Sequence, residues 1–340
     1  MTLETDRLTS YVNFDNRGTD EIGPIRGVGL VNLRDHAGDE IGLVAALTPI
    51  DPSEFQFVSG RFSAPVGPAG AVASTSVFYG HTHAGGRLTN LDLTGDSYGV
   101  SVGYTLPIRR SRLRSLWVDV EARALKTNQW VDDYRFRDDA LTVLSGTVRG
   151  VSPLAGGTVR VAVQGNAGLP LPGVTHEGDP LASRADGDAR YLSATLQADW
   201  LRPIAGPVSV ALASVAQLAS RPLLASAQIS LGGPVFARAY DYSERTGDQG
   251  IMGSAELRVD LPRLTPLLGR LQLYAFGDGG TVDMLRGGPG GGSLASGGGG
   301  LRLGRGAVDA GVEVAVPFTD ARFDTGDHAA RLSGQVALHF

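Results

Sequence analysis

Every second residue is apolar through long stretches of this chain, and the residues between are small, polar or charged. Tyr98, Val100, Val102, Tyr104 and Leu106 alternate with Ser97, Gly99, Ser101, Gly103 and Thr105. The same period runs through Leu116, Val118, Val120, Ala122 and Ala124, and through Leu192, Ala194, Leu196, Ala198 and Trp200. It returns in Ile251, Gly253, Ala255, Leu257, Val259 and Leu261, and in Val308, Ala310, Val312, Val314 and Val316. A strand turns successive side chains to opposite faces, so each stretch reads as a strand with one apolar and one polar face. Strong helical periodicity is missing nearly everywhere.

Sixteen such strands are predicted, near 7–15, 25–35, 38–48, 55–67, 70–82, 96–108, 115–127, 140–152, 157–168, 190–203, 207–220, 249–261, 270–284, 294–304, 307–317 and 329–340. Alternate connections are short: 34–39, 65–70, 152–157, 203–207 and 304–306. Those between them are long and polar: 81–96, 127–139, 166–188, 221–248 and 286–297. A transmembrane barrel has short periplasmic turns and long outer loops. Glu121, Arg123, Glu256, Arg258 and Glu313 lie on the polar faces, and charges cannot sit unpaired in a dry core. A sixteen-stranded barrel leaves an aqueous lumen for them. The fold class is therefore all-β, a transmembrane antiparallel barrel. A soluble sandwich with charged faces outward is the weaker alternative, because it gives no reason for the loop parity.

Composition narrows the function. The 340 residues include no cysteine, so there is no disulfide framework and no thiol chemistry. Net charge is −5 and Lys126 is the only lysine, which leaves no basic footprint for nucleic acid. Mean hydropathy is −0.01, which fits a soluble protein or a barrel with one apolar face. The first residues lack the apolar core of a signal peptide. Residues 203–220 are uncharged, but Pro203, Gly206 and Pro207 favour a turn and a strand over a spanning helix. His81 and His83 have same-face spacing without a third ligand nearby, so they read as a loop start. Asp132, Asp133, Asp138 and Asp139 are read as one solvated outer loop, and 287–292 as a flexible glycine-rich one. No cofactor site, metal site or strained nucleophile turn is expected, and no enzyme.

The stretch from Ser230 to Tyr240 is too polar and glycine-rich for a strand, yet Phe236, Arg238 and Tyr240 alternate in it. It reads as a long loop folded back into the barrel. In strand 270–284, Leu271, Leu273 and Ala275 face lipid, which turns Gln272, Tyr274, Phe276, Asp278 and Gly280 inward. Arg238 is seventeen residues past Arg221, a reach of roughly 55 Å when extended, and is expected to meet Asp278 on the inner wall. Phe236 and Tyr240 then pack beside Phe276. At the C-terminus, Leu332, Gly334, Val336, Leu338 and Phe340 form the apolar set of a last strand that stops on an aromatic.

These motifs carry a resemblance. Phe14, Asp15, Asn16, Arg17, Gly18 and Thr19 with Gly23 resemble the opening strand and first loop of the two-partner secretion transporters. Those are the TpsB type, the haemolysin secretion/activation family, in one superfamily with the BamA and TamA assembly proteins. Ser230, Leu231, Gly232 and Gly233 with Phe236, Arg238 and Tyr240 resemble that family's inward-folded loop six. Gly247, Asp248, Gln249 and Gly250 resemble its Gly-Asp-x-Gly lead into the next strand. Phe276, Asp278 and Gly280 resemble its Phe-x-Asp-x-Gly motif, and Val336, Leu338 and Phe340 resemble its C-terminal assembly signal. Ala239 departs from the family's usual Gly, which is penalised if the position needs positive φ.

The resemblance implies a barrel over 7–340 in the bacterial outer membrane. The family carries a plug helix and two POTRA domains before its barrel; here 1–6 read as a remnant of an N-terminal linker, and neither is expected in this chain. It implies a pore that translocates an unfolded partner exoprotein without covalent catalysis. Its partners are that secreted exoprotein, outer-membrane lipid and, during biogenesis, the barrel assembly machinery. The alternatives are an assembly factor of the BamA/TamA kind and a passive porin. A porin lacks the loop-six and Phe-x-Asp-x-Gly pair.

Overall fold

The computed structural model describes residues 7–261, 269–288 and 290–340. The first strands are β1 (Leu8–Asp15), β2 (Arg26–Arg34), β3 (Glu40–Leu47), β4 (Phe55–Val66), β5 (Ala71–His83) and β6 (Leu93–Arg110). They continue as β7 (Ser115–Val131), β8 (Tyr134–Leu154), β9 (Gly157–Gly168), β10 (Leu192–Ala205), β11 (Val208–Ala219), β12 (Ile229–Leu231) and β13 (Arg245–Gly247). The last are β14 (Gln249–Asp260), β15 (Arg270–Asp283), β16 (Gly292–Arg305), β17 (Val308–Pro317) and β18 (Arg331–His339). All but β12 and β13 form one closed barrel of sixteen strands, each antiparallel to its neighbours. Short strands β12 and β13 pair with each other inside the long connection from β11 to β14. No helix among the described residues is long and apolar enough to cross a membrane.

The barrel closes where β1 meets β18. Their register runs only from Tyr11↔His339 to Asp15↔Gln335, the shortest pairing in the barrel. Backbone bonds between Ser10 and Phe340, at 3.1 and 2.9 Å, extend it at one end. At the other end the Asn16 side chain bonds Leu332 O and Gly334 N, at 3.1 and 2.7 Å. The first-loop motif thus stitches the seam.

The wall has the expected parity. Val100 (47% exposed), Val120, Leu257, Val312 and Val314 stand outward on the lipid-facing surface. The buried apolar side chains lie inside. One cluster joins Leu231, Phe236, Tyr240, Met252, Phe276 and Leu294 in the lumen. A second joins Leu141, Val143, Val174, Tyr191, Leu223 and Leu224 near the long-loop mouth.

Four expectations are corrected. Ile229–Leu231 is a strand after all, paired with Arg245–Gly247; three residues are too few to show a period. Asp138 and Asp139 belong to β8, not to a loop with Asp132 and Asp133. Asp138 pairs with Lys126 at 3.0 Å and Arg135 at 2.9 Å. Strands β6, β7 and β8 run 18, 17 and 21 residues, so the connections near 81–96 and 127–139 are shorter than expected. Lastly, His81 and His83 end β5, beside Asp96 at 2.8 Å and Asp92 at 2.9 Å. Residues 1–6 lie outside the described residues.

Candidate functional site

Loop six, residues 220–248, enters the lumen and turns back at its tip. Gly232 and Gly233 both have φ of +112°, and a Cβ on Gly233 would sit 2.9 Å from the Tyr242 ring. The tip residue in left-handed conformation is Ala237, with φ of +55°, while Ala239 keeps negative φ. The penalty expected for Ala239 therefore does not arise there; the unusual backbone lies two residues earlier. A bond from Tyr240 N to Ala237 O, 3.0 Å, closes the turn and carries Arg238 at its apex.

Arg238 is buried and meets three carboxylates from three strands. Its Nη1 lies 3.1 Å from Glu256 Oε2 and 3.0 Å from Glu313 Oε2. Its Nε lies 3.1 Å from Asp278 Oδ2, close as an ion pair but not aligned as a hydrogen bond. Ser296 donates a short hydrogen bond to Asp278, and Arg238 N reaches Asp278 Oδ1 at 3.4 Å. The guanidinium also lies over the Phe276 ring, 4.0 Å from its centre.

Register explains this meeting. Across β14 and β15, Glu256 faces Phe276, Ser254 faces Asp278 and Arg258 faces Tyr274. Across β15 and β16, Tyr274 faces Gly300, Phe276 faces Gly298 and Asp278 faces Ser296. The glycines of β16 leave the inner wall flat enough for both rings. Glu313 faces Gly300 from the other side. Directly opposed residues share a face, so these groups converge inside the barrel.

Three further cations balance the carboxylates. Arg302 Nη1 binds Glu256 Oε1 at 2.6 Å, and Arg258 Nε binds the same oxygen at 2.6 Å. Arg17 of the first-loop motif binds Glu313 Oε1 at 2.6 Å, and Tyr274 donates to Glu313 Oε2 at 2.8 Å. Glu256 and Glu313 were expected to line an aqueous lumen. Their side chains are instead only 4% and 6% exposed, because loop six covers them. Buried charges persist when paired and hydrogen-bonded, as these are.

The tip has a second attachment across the seam. Asp241 Oδ1 accepts from Arg331 Nη1 at 2.5 Å, and Arg331 Nη2 also reaches Gly18 O at 3.2 Å. Tyr240 Oη lies 3.0 Å from Thr319 Oγ1 and donates to Asp320 O at 3.0 Å. Burial pushes the Asp241 carboxyl up against the pull of Arg331, and burial likewise raises Glu244. Beside the loop, a cavity of about 560 Å³ remains between Arg160, Asp199, Pro234, Val235, Arg258 and Gln335.

The long-loop mouth is covered as well. Asp248 is fully buried and joins three loops. It accepts from Leu223 N at 2.8 Å, Leu285 N at 2.8 Å and Arg184 Nη1 at 2.6 Å. Arg184 comes from the 169–191 connection and also donates to Leu285 O at 2.6 Å. In the same connection Asp188 binds Arg190 Nη2 at 2.7 Å and Arg190 N at 2.7 Å. These bonds hold the Asp188 carboxyl well below the usual carboxylate range.

Residues 4–303 match the family of haemolysin secretion/activation proteins ShlB/FhaC/HecB. The chain belongs to that family. No curated protein matches it. Among solved structures, this ShlB-family barrel is similar to CdiB from Escherichia coli, with TM-score 0.86 and 19% identity over 100% of this chain and 64% of that one. It is similar to CdiB from Acinetobacter baumannii, with TM-score 0.76 and 16% identity over 99% of this chain and 60% of that one. It is also similar to BamA from Haemophilus ducreyi lacking POTRA domains 1–3, with TM-score 0.69 and 12% identity over 99% of this chain and 71% of that one. The chain therefore spans less than two thirds of either CdiB. Family and closed barrel together place it in the bacterial outer membrane.

Of the residues singled out in the sequence, this ShlB-family barrel brings together Phe236, Arg238, Tyr240, Phe276 and Asp278. Gly280 lies further along β15, opposite Met252. Gly247 and Gly250 pack against the end of β15, where a Cβ would come 2.7 Å from Asp283 N and Thr281 O respectively. Val336 and Leu338 face Phe14 and Val12 across the seam. Sequence reasoning missed the roles of Arg17, Glu256 and Glu313 around Arg238, and of Arg184, Asp241, Ser296 and Arg331. Inward parity alone marks Glu256 and Glu313; the others needed the register or the loops.

Proposed function

We propose that this barrel is the translocating pore of a two-partner secretion transporter, passing an unfolded secreted exoprotein through its lumen with no covalent step. The observation that carries this reading is Arg238, buried at the tip of loop six among Glu256, Asp278 and Glu313 on the inner wall. A loop held by a compact ion cluster on one side of a wide lumen leaves a path on the other. In this reading the cluster is a lock that sets the position of loop six, and so the free cross-section. Phe276 lies under the Arg238 guanidinium and Phe236 packs in the same cluster, which helps to fix the lock. The chain would work with an exoprotein bearing a secretion domain, and would itself be inserted by the barrel assembly machinery, which reads Val336, Leu338 and Phe340.

The test pairs transport with conductance. The barrel is produced together with a candidate exoprotein, and secreted partner is measured beside conductance in planar bilayers. Arg238→Ala and deletion of residues 229–247 are expected to change conductance and to lower secretion with the barrel intact. Unchanged values in both variants would sink the reading.

A second reading, a template for inserting other barrels, is favoured by one observation: the β1–β18 register covers only Tyr11 to Asp15. Val12 and Leu338 face each other in that register. With no native cysteine, Val12→Cys with Leu338→Cys can close the seam covalently. A closed seam leaves transport through the lumen working and stops an insertion factor.

A further inference from the structure

At the short-turn end of the barrel, the end of β6 and the turn to β7 crowd four arginines into six residues: Arg109, Arg110, Arg112 and Arg114. All four are exposed. None has a carboxylate partner among the described residues, although the chain as a whole carries net charge −5. Elsewhere arginines of this barrel are commonly paired, as Arg149 is with Asp119 at 2.8 Å on the neighbouring inner wall.

The turn is built to display them. Ser111 Oγ donates to Arg114 O at 2.6 Å and accepts from Arg114 N at 3.0 Å. Ser111 N bonds Arg114 O at 3.0 Å, closing a tight four-residue turn. Of the four guanidinium groups, only that of Arg110 is engaged among the described residues, donating to Gly70 O on the adjacent turn at 3.0 Å. The strand also breaks register between Pro107 and Arg109. Pro107 has no N–H to give to the ladder, and a bulge at such a place re-aims the side chains after it. Arg109 thereby comes to face Leu116, a member of the lipid-facing set, instead of following Pro107 and Trp117 on the inner wall.

Apolar side chains surround these cations on the same lip. Ile108 is 53% exposed and Leu113, at the turn's tip, is 71% exposed. The device recurs on β10, where the register breaks between Pro203 and Ala205, with exposed Ile204 beside exposed Arg202. Arg202 also lacks a carboxylate partner among the described residues. Short turns of an outer-membrane barrel face the periplasm. The lip therefore lies where the phosphates of the inner leaflet begin.

We propose that the β6–β7 lip is a binding site for the headgroup of an anionic phospholipid. Arg109, Arg112 and Arg114 meet the phosphate diester, and Ile108 and Leu113 enter the acyl region beside it. Guanidinium groups recognise phosphate by charge and by paired N–H donors. Exposed apolar groups at the same level distinguish a lipid from a soluble phosphate. A basic cluster at a membrane surface gains about 1 kcal/mol per arginine, roughly fivefold in affinity. Salt weakens that gain, because the groups are exposed.

The test is retention of lipid by the detergent-purified barrel, read by native mass spectrometry with phosphatidylglycerol and phosphatidylethanolamine at equal concentration. The wild type is expected to retain phosphatidylglycerol in excess, and to lose that excess as salt rises from about 0.05 to about 0.5 M. Arg109→Gln with Arg112→Gln and Arg114→Gln should lose the excess, at about fivefold per guanidinium removed. Arg135→Gln with Arg137→Gln, at the opposite end of β7–β8, should keep it. Glycerophosphoglycerol, which has the headgroup without chains, should compete poorly. Equal retention by the triple variant overturns the proposal, and so does a wild-type excess insensitive to salt, which needs no variant to fold. Equal competition by glycerophosphoglycerol would make the lip a soluble-anion site. Polyglutamate binding to wild type but not to the triple variant, with both retaining phosphatidylglycerol alike, would make it a protein-docking surface. Either result overturns the proposal.

Discussion

Gly300 faces Tyr274 across β15 and β16, and a Cβ on Gly300 would sit 2.6 Å from the Tyr274 hydroxyl. The absent side chain is what lets the phenol lie flat, donate to Glu313 and take Arg302 over its face at 3.8 Å. Gly298 does the same for Phe276, with a Cβ 3.0 Å from the ring edge. Gly300→Val is expected to push Tyr274 off Glu313 and to cost about 1–3 kcal/mol through overpacking. The midpoint of heat modifiability on semi-native gels reads that loss. Full tolerance of valine would mean the wall is looser than this packing.

Arg238 should not be replaceable by a simple charge swap. Arg238→Glu with Asp278→Arg restores one pair, but leaves the new carboxylate beside Glu256 and Glu313. Breaking a buried pair costs about 3–5 kcal/mol, and the swap leaves that cost largely in place. The double variant is therefore expected to hold loop six no better than Arg238→Ala, judged by protease access to residues 229–247. Recovery of wild-type protection would show that Asp278 alone dominates the cluster.

The two faces of β6 should respond differently to charge. Val100 faces lipid and Ser101 faces the lumen, where its hydroxyl lies 2.9 Å from that of Ser76. An arginine at Val100 should cost about 2–4 kcal/mol near the midplane, and one at Ser101 far less. Folding yield into lipid vesicles measures both. Equal yields would contradict the parity.

The cover over the long-loop mouth should open when Arg184 is removed. Arg184→Ala leaves Asp248 with its two backbone donors and frees the 169–191 connection from Leu285. Single-channel recording should show larger or more frequent open events, with the far-ultraviolet circular dichroism unchanged. A silent conductance phenotype would mean that this connection does not restrict the mouth.

Acid should loosen the same connection late. The folded Asp188 carboxyl is held below its ordinary value chiefly by Arg190. Its stabilisation is present above the unfolded value, near 3.9, and is lost as pH falls towards the lower folded value. Protease access to residues 169–191 should stay constant from about pH 7 to about pH 5 and rise only below about pH 4. Asp188→Asn should be accessible across the whole range. A wild-type transition near neutrality would point to another group.

The strands were legible because lipid on one side and water on the other impose a strict period of two. The limits of β9 and β14 fall within one residue of those read from alternation. Where β7 and β8 approach their shared turn, polar and charged residues interrupt the alternation and 127–139 reads as a loop. Parity turned Asp278 inward, and the spacing of Arg238 let it reach. Glu256 and Glu313 were visible as lumenal, but which cation each meets depends on register between strands far apart in sequence. No local pattern contains Arg184 with Asp248, 64 positions apart.

The hydrophobic cluster around Leu231, Tyr240 and Phe276 sits inside the barrel, while the apolar residues of the wall sit outside. Two solvents therefore hold one chain together. Water drives the inner cluster to close, and that drive weakens in denaturant. The wall is held by backbone bonds that have no competing partner in lipid. Urea should accordingly release loop six while the cylinder around it stands, giving an emptied tube as a distinct equilibrium species.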